Sequence, residues 1–568
     1  MKPQIRIVLT VVLLLIWNRH SAWSQEIPSV ANGKLAAVAS VHPMATQAGM
    51  DALNSGGNAV DAAIATALTL GVVDGFNSGI GGGCFILIRT PDGTVVAIDA
   101  REMAPAAAHR DMFIRDGKAD TTLSQVGPLA IGVPGALAGY AEAVERFGKK
   151  SLRDLILPAA EIADNGFHVD EQYASLVQGT AKDLMRFPGS KAVFFGDDDA
   201  PVAAGELFRQ QDLANTYRSI GEQGVEWFYR GAFADSLADW MQANGGLITR
   251  ADMANYHTVQ RIPVETTYRG YTVYGFPPPS SGGVHVAQIL NILERFDLQA
   301  VNQSSPMEST HLIAEAMKLA FADRAYWLGD PDHADVPRGL IDKGYARELS
   351  ERIDSARSIA VDSHGVPPLA DSDFFEKHTT HIAAADAEGY WVAITTTVNT
   401  TFGSKVIVPG LGVVMNNQMD DFAIAPGVPN AFGLVGNEAN SVAAGKRPLS
   451  SMSPTIICRD GQPVMTVGAA GGPRIITQSL LATIRVLDFD MSLEDAVSTP
   501  RFHHQWSPDL LYIESGTDES IVDGLKEKGH KVRMTRTAGI SQAIRFDPST
   551  GTFTAVADPR TNGAALAK

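Results

Sequence analysis

The chain has 568 residues, of which 45% are hydrophobic and 19% are charged. These values are typical of a globular protein with a substantial core and exclude an intrinsically disordered chain. The formal net charge of −17 disfavours nucleic acid as a partner, because phosphate backbones are bound by basic surfaces.

Residues 1–24 have the pattern of a secretory signal peptide. Lys2 and Arg6 precede an apolar run over 7–17, and the small residues Ala22 and Ser24 follow it. The run is shorter than the roughly 20 apolar residues that span a bilayer. We therefore predict export with removal of residues 1–24, and no stable membrane span. Removal takes away three basic residues and no acidic one, so the mature chain is more acidic still.

The cysteine content indicates neither a disulfide framework nor a metal site. The chain has only two cysteines, Cys84 and Cys458, each within an apolar strand-like run. We predict that both are buried free thiols. No cysteine pair or His-x-x-x-His spacing is present in the sequence, so we predict no metal and no cofactor.

The first folded segment predicts two helices followed by a β-hairpin. Helical periodicity over 43–73 is interrupted at 54–57, after which Asn58 can cap a second helix. A glycine-rich segment then precedes strands over 84–89 and 94–99, joined by a turn at 91–93. This hairpin places Arg101 and Glu102 directly after its second strand.

The middle of the chain, residues 135–372, is predicted to be mostly amphipathic helix, including a helix over 309–328. The proline-rich and glycine-rich segment 276–283 interrupts it, and no helix is expected there. Strands are expected to return only after Lys377. Residues 354–372 are rich in Asp, Ser and Pro, which favours an exposed mobile linker.

A threonine-rich hairpin follows this linker. Residues 379–386 and 390–398 read as two strands joined by a three-residue turn. If Asp386 pairs with Tyr390, Thr379 lies opposite Thr397, and strand alternation places Asn399 on the same face. Taken alone, this polar row is also what an ordinary hairpin would contain, because Thr is favoured in strands.

A second glycine-rich turn precedes the last long helix of the sequence. A hairpin over 455–459 and 463–467 leads to Gly471 and Gly472, and an apolar helix is predicted over 475–487 with Pro473 in its first turn. The N–H groups of the two glycines would then lie at the positive end of a helix, which suits an oxyanion. A glycine-rich turn needed only for packing is the alternative.

Motifs along almost the whole chain resemble those of the γ-glutamyltransferase family. In chain order they are GGNAVDAAIA from Gly56, SGIGGG from Ser78, DAREMAP from Asp99, PPPSSGG from Pro277, TTH from Thr379, NTTFG from Asn399, NNQMDDF from Asn416, KRPLSSMSP from Lys446, GAAGGPRIIT from Gly468 and PRFHHQW from Pro500. So many motifs in this order are highly specific.

The resemblance implies an α+β fold, a four-layer αββα sandwich of the N-terminal nucleophile hydrolase type. It also implies one precursor that cuts itself between His378 and Thr379. The large subunit, 25–378, and the small subunit, 379–568, would stay together as a heterodimer. Thr379 would supply the nucleophilic hydroxyl and, through its free α-amino group, the general base. Thr397 would orient Thr379, and Gly471 and Gly472 would stabilise the oxyanion.

The resemblance further implies γ-glutamyl compounds such as glutathione as donors, and water, amino acids or peptides as acceptors. Such donors carry an α-carboxylate and an α-ammonium, and each charge needs a partner. Six matching residues would bind the two charges: Arg101, Ser450 and Ser451 the carboxylate, and Asp421, Asn399 and Gln418 the ammonium.

Two positions near the site depart from the family pattern. Residues 426–433 match the lid loop of bacterial members, some of which have Tyr where this chain has Phe432. A phenylalanine can cover the site by packing but cannot hydrogen-bond toward Asn399, so looser lid closure and different acceptor handling are expected. Lys405 stands where some members have a small residue, and the sequence gives it no role. The bacterial lid, the signal peptide and the few cysteines favour the periplasm.

Two other functions are compatible with parts of the sequence. An acylase of the same fold, acting on glutaryl or cephalosporin-type amides, would need no ammonium partner, and Asp421 argues against it. An unprocessed, inactive protein of the cell envelope would remain one chain, and the intact set Thr379, Thr397, Gly471 and Gly472 argues against that.

Overall fold

The computed structural model describes residues 28–368, 380–425 and 427–568. The predicted signal peptide, the His378–Thr379 cleavage site, the end of the predicted linker and Pro426 lie outside these residues. Within the described part, two seven-stranded antiparallel sheets pack face to face, and helices cover the outer face of each sheet. The protein is therefore the four-layer αββα sandwich that the sequence predicts.

Sheet I has the strand order β21, β2, β12, β13, β3, β4, β9. Its strands are β2 (Ala36–Ser40), β3 (Gly83–Arg89), β4 (Val95–Ala100), β9 (Val259–Arg261), β12 (Thr380–Asp386), β13 (Trp391–Thr397) and β21 (Ala564–Ala567).

Sheet II has the strand order β1, β20, β19, β15, β14, β11, β10. Its strands are β1 (Val30–Gly33), β10 (Val264–Tyr268), β11 (Tyr271–Gly275), β14 (Thr455–Arg459), β15 (Gln462–Ala470), β19 (Ile540–Asp547) and β20 (Thr552–Ala557). Short strands elsewhere are β5 (Ile114–Arg115), β6 (Lys118–Ala119), β7 (Phe167–His168), β8 (Leu207–Phe208), β16 (Phe502–His504), β17 (Leu511–Glu514) and β18 (Val532–Thr535).

The helices on the side of sheet I are α1 (Pro43–Asn54), α2 (Ala59–Val73), α4 (Ala136–Phe147), α5 (Leu152–Asn165), α6 (Glu171–Leu184), α7 (Pro188–Phe194), α8 (Gln211–Gln223), α9 (Val225–Tyr229), α10 (Ala232–Asn244) and α11 (Arg250–Asn255). Those on the side of sheet II are α12 (Ser281–Leu293), α13 (Leu298–Ser304), α14 (Pro306–Trp327), α15 (Lys343–Glu351), α16 (Arg474–Leu487), α17 (Leu493–Ser498) and α18 (Glu519–Glu527). The short helix α3 (Thr121–Gln125) packs in a smaller cluster with Met419 and Phe422.

Local sequence signals explain the first helix pair. Asn58 accepts hydrogen bonds from the N–H groups of Val60 and Asp61, and the Asp61 carboxylate accepts one from the Asn58 N–H. This reciprocal cap begins α2 where the sequence predicts it. The predicted strands at 84–89 and 94–99 are also present, each within one residue of the expected bounds.

The β12–β13 hairpin lies at the centre of sheet I, between β2 and β3. Thr380 pairs with Thr396 and His381 with Thr395, which is the register that the sequence predicts. The pairing of Thr379 with Thr397 involves a residue outside the described part and remains a prediction. The inward face of β12 carries small residues such as Ala383 and Ala385, so sheet II can pack closely against it.

The prediction that strands return only after Lys377 is wrong. β9, β10 and β11 all precede that residue, and β10 and β11 form one edge of sheet II. In β10, buried residues alternate with exposed ones. Such an edge strand needs only one apolar face, so its sequence lacks the continuous apolar run that marks a buried strand.

The prediction that no helix runs through 276–283 is wrong at its end. Ser280 caps α12 by accepting a hydrogen bond from the Gly282 N–H, and the helix includes Gly282 and Gly283. A Cβ atom on Gly282 would come within 2.3 Å of the Met452 carbonyl oxygen. The glycines are therefore required for close packing of the helix start rather than for breaking it.

The segment 354–365 is exposed or half-buried, as the sequence predicts, but it is hydrogen-bonded to the rest of the protein rather than free. The Ser358 N–H donates to the Lys528 carbonyl at 2.7 Å, and the Ile359 N–H donates to the Glu315 carboxylate at 3.0 Å. Trp506 Nε1 donates to the Val361 carbonyl at 2.7 Å. These bonds hold the segment against buried groups, which its composition does not reveal. The cysteine prediction, in contrast, is confirmed: Cys84 and Cys458 are both buried free thiols.

Candidate active site

Arg101 follows β4 and is held in place through its backbone. Its N–H donates to Asp99 Oδ1 at 3.0 Å. The Asp99 carboxylate in turn pairs with Arg447 at 2.8 Å and with Arg261 at 3.0 Å. Because all of these side chains are almost completely buried, the network fixes the position at which Arg101 leaves the strand.

The Arg101 guanidinium is fully buried and has acidic groups on two sides. Its Nη2 lies 2.6 Å from Asp421 Oδ2, and its Nη1 lies 3.5 Å from Glu102 Oε2. Its Nε donates to the Pro448 carbonyl at 3.3 Å. Burial raises the pKa of Glu102 to about 7. The site thus contains a buried cation, Arg101, and a buried anion, Asp421, which could pair with the negative and the positive group of a zwitterion.

Asp421 lies at the end of a 3₁₀ helix over Gln418–Asp421. Besides Arg101, its carboxylate accepts hydrogen bonds from Gln418 Nε2 at 2.7 Å and from Asn430 Nδ2 at 3.2 Å. Asn440 Nδ2 donates to its backbone carbonyl at 2.7 Å. The structure therefore brings together three of the predicted site residues, Arg101, Gln418 and Asp421.

Thr397 and Asn399 are also in contact, although not for the predicted reason. β13 ends at Thr397, and Asn399 has a left-handed backbone with φ of 83°. Strand alternation therefore does not reach Asn399. Instead, the Asn399 N–H donates to Thr397 Oγ1 at 2.7 Å, and its Nδ2 donates to the Asn417 carbonyl at 3.0 Å. Asn417 directly precedes Gln418, which links this pair to the Asp421 cluster.

Ser450 and Ser451 follow Pro448, whose carbonyl binds Arg101. Ser450 forms a parallel bridge with Ser280, and its carbonyl accepts a hydrogen bond from Ser281 Oγ at 2.7 Å. The backbone of this segment is thus fixed by the start of α12. The side-chain hydroxyls of the two serines remain available.

Several buried polar atoms around this set have no hydrogen-bond partner in the described part of the chain. They are Arg101 Nη1, both Glu102 carboxylate oxygens, Asn399 Oδ1, Gln418 Oε1, Ser450 Oγ and Ser451 Oγ. Buried polar groups are nearly always paired in folded proteins. Their concentration beside one buried ion pair therefore indicates a polar ligand site.

Gly471 and Gly472 lie between the end of β15 and the start of α16, both with positive φ, 128° and 62°. Neither N–H donates a hydrogen bond to any described group. A Cβ atom on Gly468, three residues earlier, would come within 2.3 Å of His381 Nδ1. The close approach of β15 to β12 places the two glycines near the beginning of the β12–β13 hairpin.

A loop over 427–434 lies across these groups and corresponds to the predicted lid. Asn430 contacts Asp421, and the Ala431 N–H donates to Asp420 Oδ2 at 2.9 Å. The Phe432 ring packs on Gly472, where a Cβ atom would come within 2.7 Å of Phe432 Cδ1. These contacts hold the loop closed over the site in this structure. Burial raises the pKa of the Asp420 carboxyl to about 6.

Sequence reasoning missed three residues of this arrangement. The sequence predicts only the position of Glu102 and predicts no role for Asn417 or Asn430. Asn417 and Asn430 act through contacts with residues of other motifs, Asn399 and Asp421, which the sequence alone does not bring together. The acidity of Glu102 next to Arg101 is the one local signal that could have suggested its involvement.

A second buried cluster, away from this site, has side chains of the metal-binding type. His311, Glu315 and His530 have potential ligand atoms within 4.8 Å of one another. However, Lys318 Nζ lies 2.7 Å from Glu315 Oε1, and Ser358 Oγ also donates to that oxygen, at 2.9 Å. The two imidazoles hydrogen-bond to each other at 2.8 Å. These contacts already satisfy the cluster, so we assign no metal to it.

No helix in the described part of the chain has the length and apolar character needed to cross a membrane.

Comparison with known proteins identifies the family. The family model for gamma-glutamyltranspeptidase matches residues 45–568. The glutathione hydrolase proenzyme of Escherichia coli (strain K12) is 43% identical over 526 residues, which cover 92% of this chain and 90% of the relative. The acylase ACY 1 proenzyme of Pseudomonas sp. (strain V22) is 39% identical over 548 residues, 94% of each chain.

Solved structures have the same fold. The crystal structure of cephalosporin acylase from Bacillus halodurans matches with a TM-score of 0.85 and 28% identity, over 96% of this chain and 99% of that one. Helicobacter pylori gamma-glutamyltranspeptidase matches with a TM-score of 0.54 and 40% identity, over 56% of this chain and 90% of that one. The family model and the Escherichia coli relative span nearly the whole described chain, and we conclude that the protein belongs to the gamma-glutamyltranspeptidase family of enzymes.

Proposed function

We propose that this protein is a self-processing γ-glutamyltransferase that cleaves γ-glutamyl amides such as glutathione and passes the γ-glutamyl group to water or to an amine. The observation that carries the proposal is the buried Arg101–Asp421 ion pair, surrounded by serine hydroxyls and amide oxygens that have no hydrogen-bond partner among the described residues. A glutamyl headgroup supplies both a carboxylate and an ammonium. Its carboxylate can pair with Arg101 in place of Asp421, and its ammonium can pair with Asp421 in place of Arg101.

In this proposal each half of the headgroup has its own set of donors or acceptors. Arg101, Ser450 and Ser451 donate to the α-carboxylate. Asp421 pairs with the α-ammonium, and Asn399 Oδ1 and Gln418 Oε1 accept its remaining hydrogens. The assignment is supported by five buried atoms that have no hydrogen-bond partner among the described residues: Arg101 Nη1, Ser450 Oγ, Ser451 Oγ, Asn399 Oδ1 and Gln418 Oε1.

Self-processing would use Thr379 as an internal nucleophile. Its Oγ attacks the His378 carbonyl carbon, the peptide C–N bond breaks, and the nitrogen receives the hydroxyl proton. The resulting ester is hydrolysed by water, which leaves a carboxylate on His378 and a free Thr379. Thr397, held by the Asn399 N–H, is the proposed positioning residue for this hydroxyl.

Group transfer would then repeat the same chemistry on the substrate. Thr379 Oγ attacks the γ-carbonyl carbon while its own α-amino group accepts the proton. Gly471 and Gly472 are the proposed donors to the oxyanion, at roughly 3 to 4 kcal/mol for each hydrogen bond. The amine leaves with the proton, and water or an acceptor amine attacks the γ-glutamyl ester to release the product and regenerate Thr379.

Sequencing of the purified small chain tests the cleavage site. We expect its N-terminus to be Thr379 and that of the large chain to lie near Gln25, as export to the periplasm with removal of residues 1–24 requires. Thr379→Ala should remain one chain and transfer no γ-glutamyl groups, whereas Thr379→Ser should still be cleaved. Two chains from Thr379→Ala would contradict the proposal.

The competing function is that of an acylase acting on glutaryl amides, because acylases occur among the similar proteins. A γ-glutamyl anilide and its glutaryl counterpart, which lacks only the α-amino group, distinguish the two. Without the ammonium, Asn399 Oδ1 and Gln418 Oε1 would have no partner and Asp421 would lose its charged hydrogen bond to the substrate, at roughly 1.5 to 3 kcal/mol for each charged hydrogen bond. Two such losses predict at least about a hundredfold preference for the γ-glutamyl compound in kcat/KM. Comparable rates on both compounds would favour the acylase.

A further inference from the structure

The loop that carries Asn399 has an unusual backbone. Asn399, Phe402, Gly403 and Lys405 all have positive φ, between 49° and 83°. Three of these residues have side chains, for which the left-handed region is unfavourable. Such a loop keeps one conformation only where other contacts hold it in place.

The Lys405 side chain is the contact that spans this loop. It is 7% exposed, and its Nζ donates to the Gly403 carbonyl at 2.6 Å and to Thr400 Oγ1 at 3.1 Å. The Lys405 backbone is held on the other side, because Ser190 Oγ donates to its carbonyl at 2.7 Å. The ammonium thus joins the two ends of the segment 400–405.

Thr400 passes this restraint on to Asn417. Asn417 Nδ2 donates to Thr400 Oγ1 at 2.9 Å, and the Thr400 N–H donates to Asn417 Oδ1 at 3.1 Å. The Asn417 carbonyl then accepts the hydrogen bond from Asn399 Nδ2 at 3.0 Å. That bond directs Asn399 Oδ1, the unpartnered oxygen, away from Asn417. Gln418, which contacts Asp421, is the next residue in the chain.

We propose that Lys405 is a positioning residue that sets, through Thr400 and Asn417, the placement of Asn399 and Gln418 for recognition of the donor's α-ammonium. The inference rests on the proposed function, since it assigns these two side chains to the ammonium. Lys405 itself touches no substrate. Burial lowers the pKa of Lys405 to about 8, and Asp183 and Asp420 are the charged groups that oppose this shift.

The test compares variants that remove the ammonium in different ways. Lys405→Met keeps the chain length and removes the donor, whereas Lys405→Arg keeps a cation. Lys405→Gly also removes the donor but suits the φ of 69°, so it separates loss of the contact from backbone strain. Lys149→Met is the matched control. Lys149 pairs on the surface with Glu388, which lies in the turn between β12 and β13, and β13 leads into the loop that contains Lys405.

For Lys405→Met and Lys405→Gly we expect KM for a γ-glutamyl anilide to rise about tenfold, with self-cleavage retained and little change for the glutaryl anilide. The preference for the γ-glutamyl compound therefore falls about tenfold, Lys405→Arg recovers most of it, and Lys149→Met has wild-type values.

An unchanged preference in Lys405→Met would overturn the proposal. An equal fall for both anilides together with a lower Tm would also overturn it, because a purely structural role predicts that result. If the wild-type enzyme does not turn over the γ-glutamyl anilide, the proposed function fails and this inference fails with it.

Discussion

Arg101 is the residue on which the proposed headgroup site depends most directly. Arg101→Lys replaces a planar guanidinium with a point charge, which cannot contact Asp421, the Pro448 carbonyl and a substrate carboxylate together. We expect kcat/KM for γ-glutamyl donors to fall roughly ten- to hundredfold, mainly through KM, which corresponds to one charged hydrogen bond. Steady-state kinetics of the purified variant give both constants.

Self-cleavage is the internal control for that variant. It requires Thr379 and the carbonyl of His378 and no headgroup contact, so Arg101→Lys should still yield two chains on a denaturing gel. If cleavage and turnover were lost to the same extent, Arg101 would instead be a residue that supports the fold.

The raised pKa of Glu102 predicts that donor binding is sensitive to pH. Its pKa of about 7 is raised by burial, so the carboxyl is neutral below that pH and becomes an anion 3.5 Å from Arg101 Nη1 above it. The anion competes with the substrate carboxylate for Arg101, and KM for γ-glutamyl donors should rise as the pH increases from about 6 to about 8. Glu102→Gln is permanently neutral and should give a flatter profile; an identical rise in the variant would exclude Glu102 as its source.

The same shift gives the sign of a stability effect. A carboxyl whose folded-state pKa is raised stabilises the fold at low pH, below its unfolded pKa, and this contribution is lost as the pH rises through about 7. The unfolding free energy of the wild type should therefore fall relative to that of Glu102→Gln as the pH rises from about 4.5 to about 7. Denaturant titrations at several pH values measure it.

The sequence predicted the types of the site residues better than their contacts. Arg101, Asp421 and Gln418 stand in recognisable motifs, and the structure brings all three together. Their mutual ion pair and hydrogen bond could not be predicted, because they depend on where β4 and the 418–421 helix meet. Asn399 illustrates a different limit: it was placed by strand alternation, but its left-handed backbone lies beyond the end of β13.

The lid loop lies over the site residues and contacts them through three of its own residues. Phe432 packs on Gly472, while Asn430 and Ala431 attach the loop to Asp421 and Asp420. Phe432→Ala removes the packing and keeps both attachments. We expect faster hydrogen exchange over 427–434 and a several-fold shift in product partition from transfer toward hydrolysis, because water reaches the γ-glutamyl ester more easily.

Phe432→Tyr is the control for the lid variant. It keeps the ring and adds a hydroxyl that can reach toward Asn399, so exchange should stay at or below the wild-type rate. If Phe432→Ala left both exchange and partition unchanged, the ring would not be what holds the lid closed.

At the level of elements, the sequence predicted the central hairpin and the α1–α2 pair but not the β10–β11 edge. The latter had a usable signal, since Arg269 and Gly270 form a turn between runs rich in Thr and Tyr. The exposed polar residues of β10 mask that signal, because only one face of this edge strand is buried. The contacts of the segment 354–365 could not be predicted for another reason. Glu315 and Lys318, which hydrogen-bond to its backbone, lie in α14, and the composition of the segment does not reveal them.

The whole molecule interleaves the two proposed chains. In sheet I, β12 and β13 of the proposed small chain lie between β2 and β3 of the proposed large chain, and β21 pairs with β2. In sheet II, β1 pairs with β20 and β11 pairs with β14. Cleavage before Thr379 would thus leave hydrogen-bonded strand pairs between the chains in both sheets. Neither chain could leave without breaking both sheets and opening the core between them.

This topology predicts that the processed enzyme unfolds as one unit. Because every layer contains or contacts elements of both chains, we expect a single calorimetric transition and co-elution of both chains in size-exclusion chromatography until that transition is reached. The uncleaved Thr379→Ala protein is the matched control, with the same interfaces in one chain. Its transition should also be single, and both chains expressed separately should be unable to form soluble folded proteins alone. Two separate transitions in the processed enzyme, or release of a folded small chain below the unfolding temperature, would show that the proposed chains are independent domains rather than parts of one sandwich.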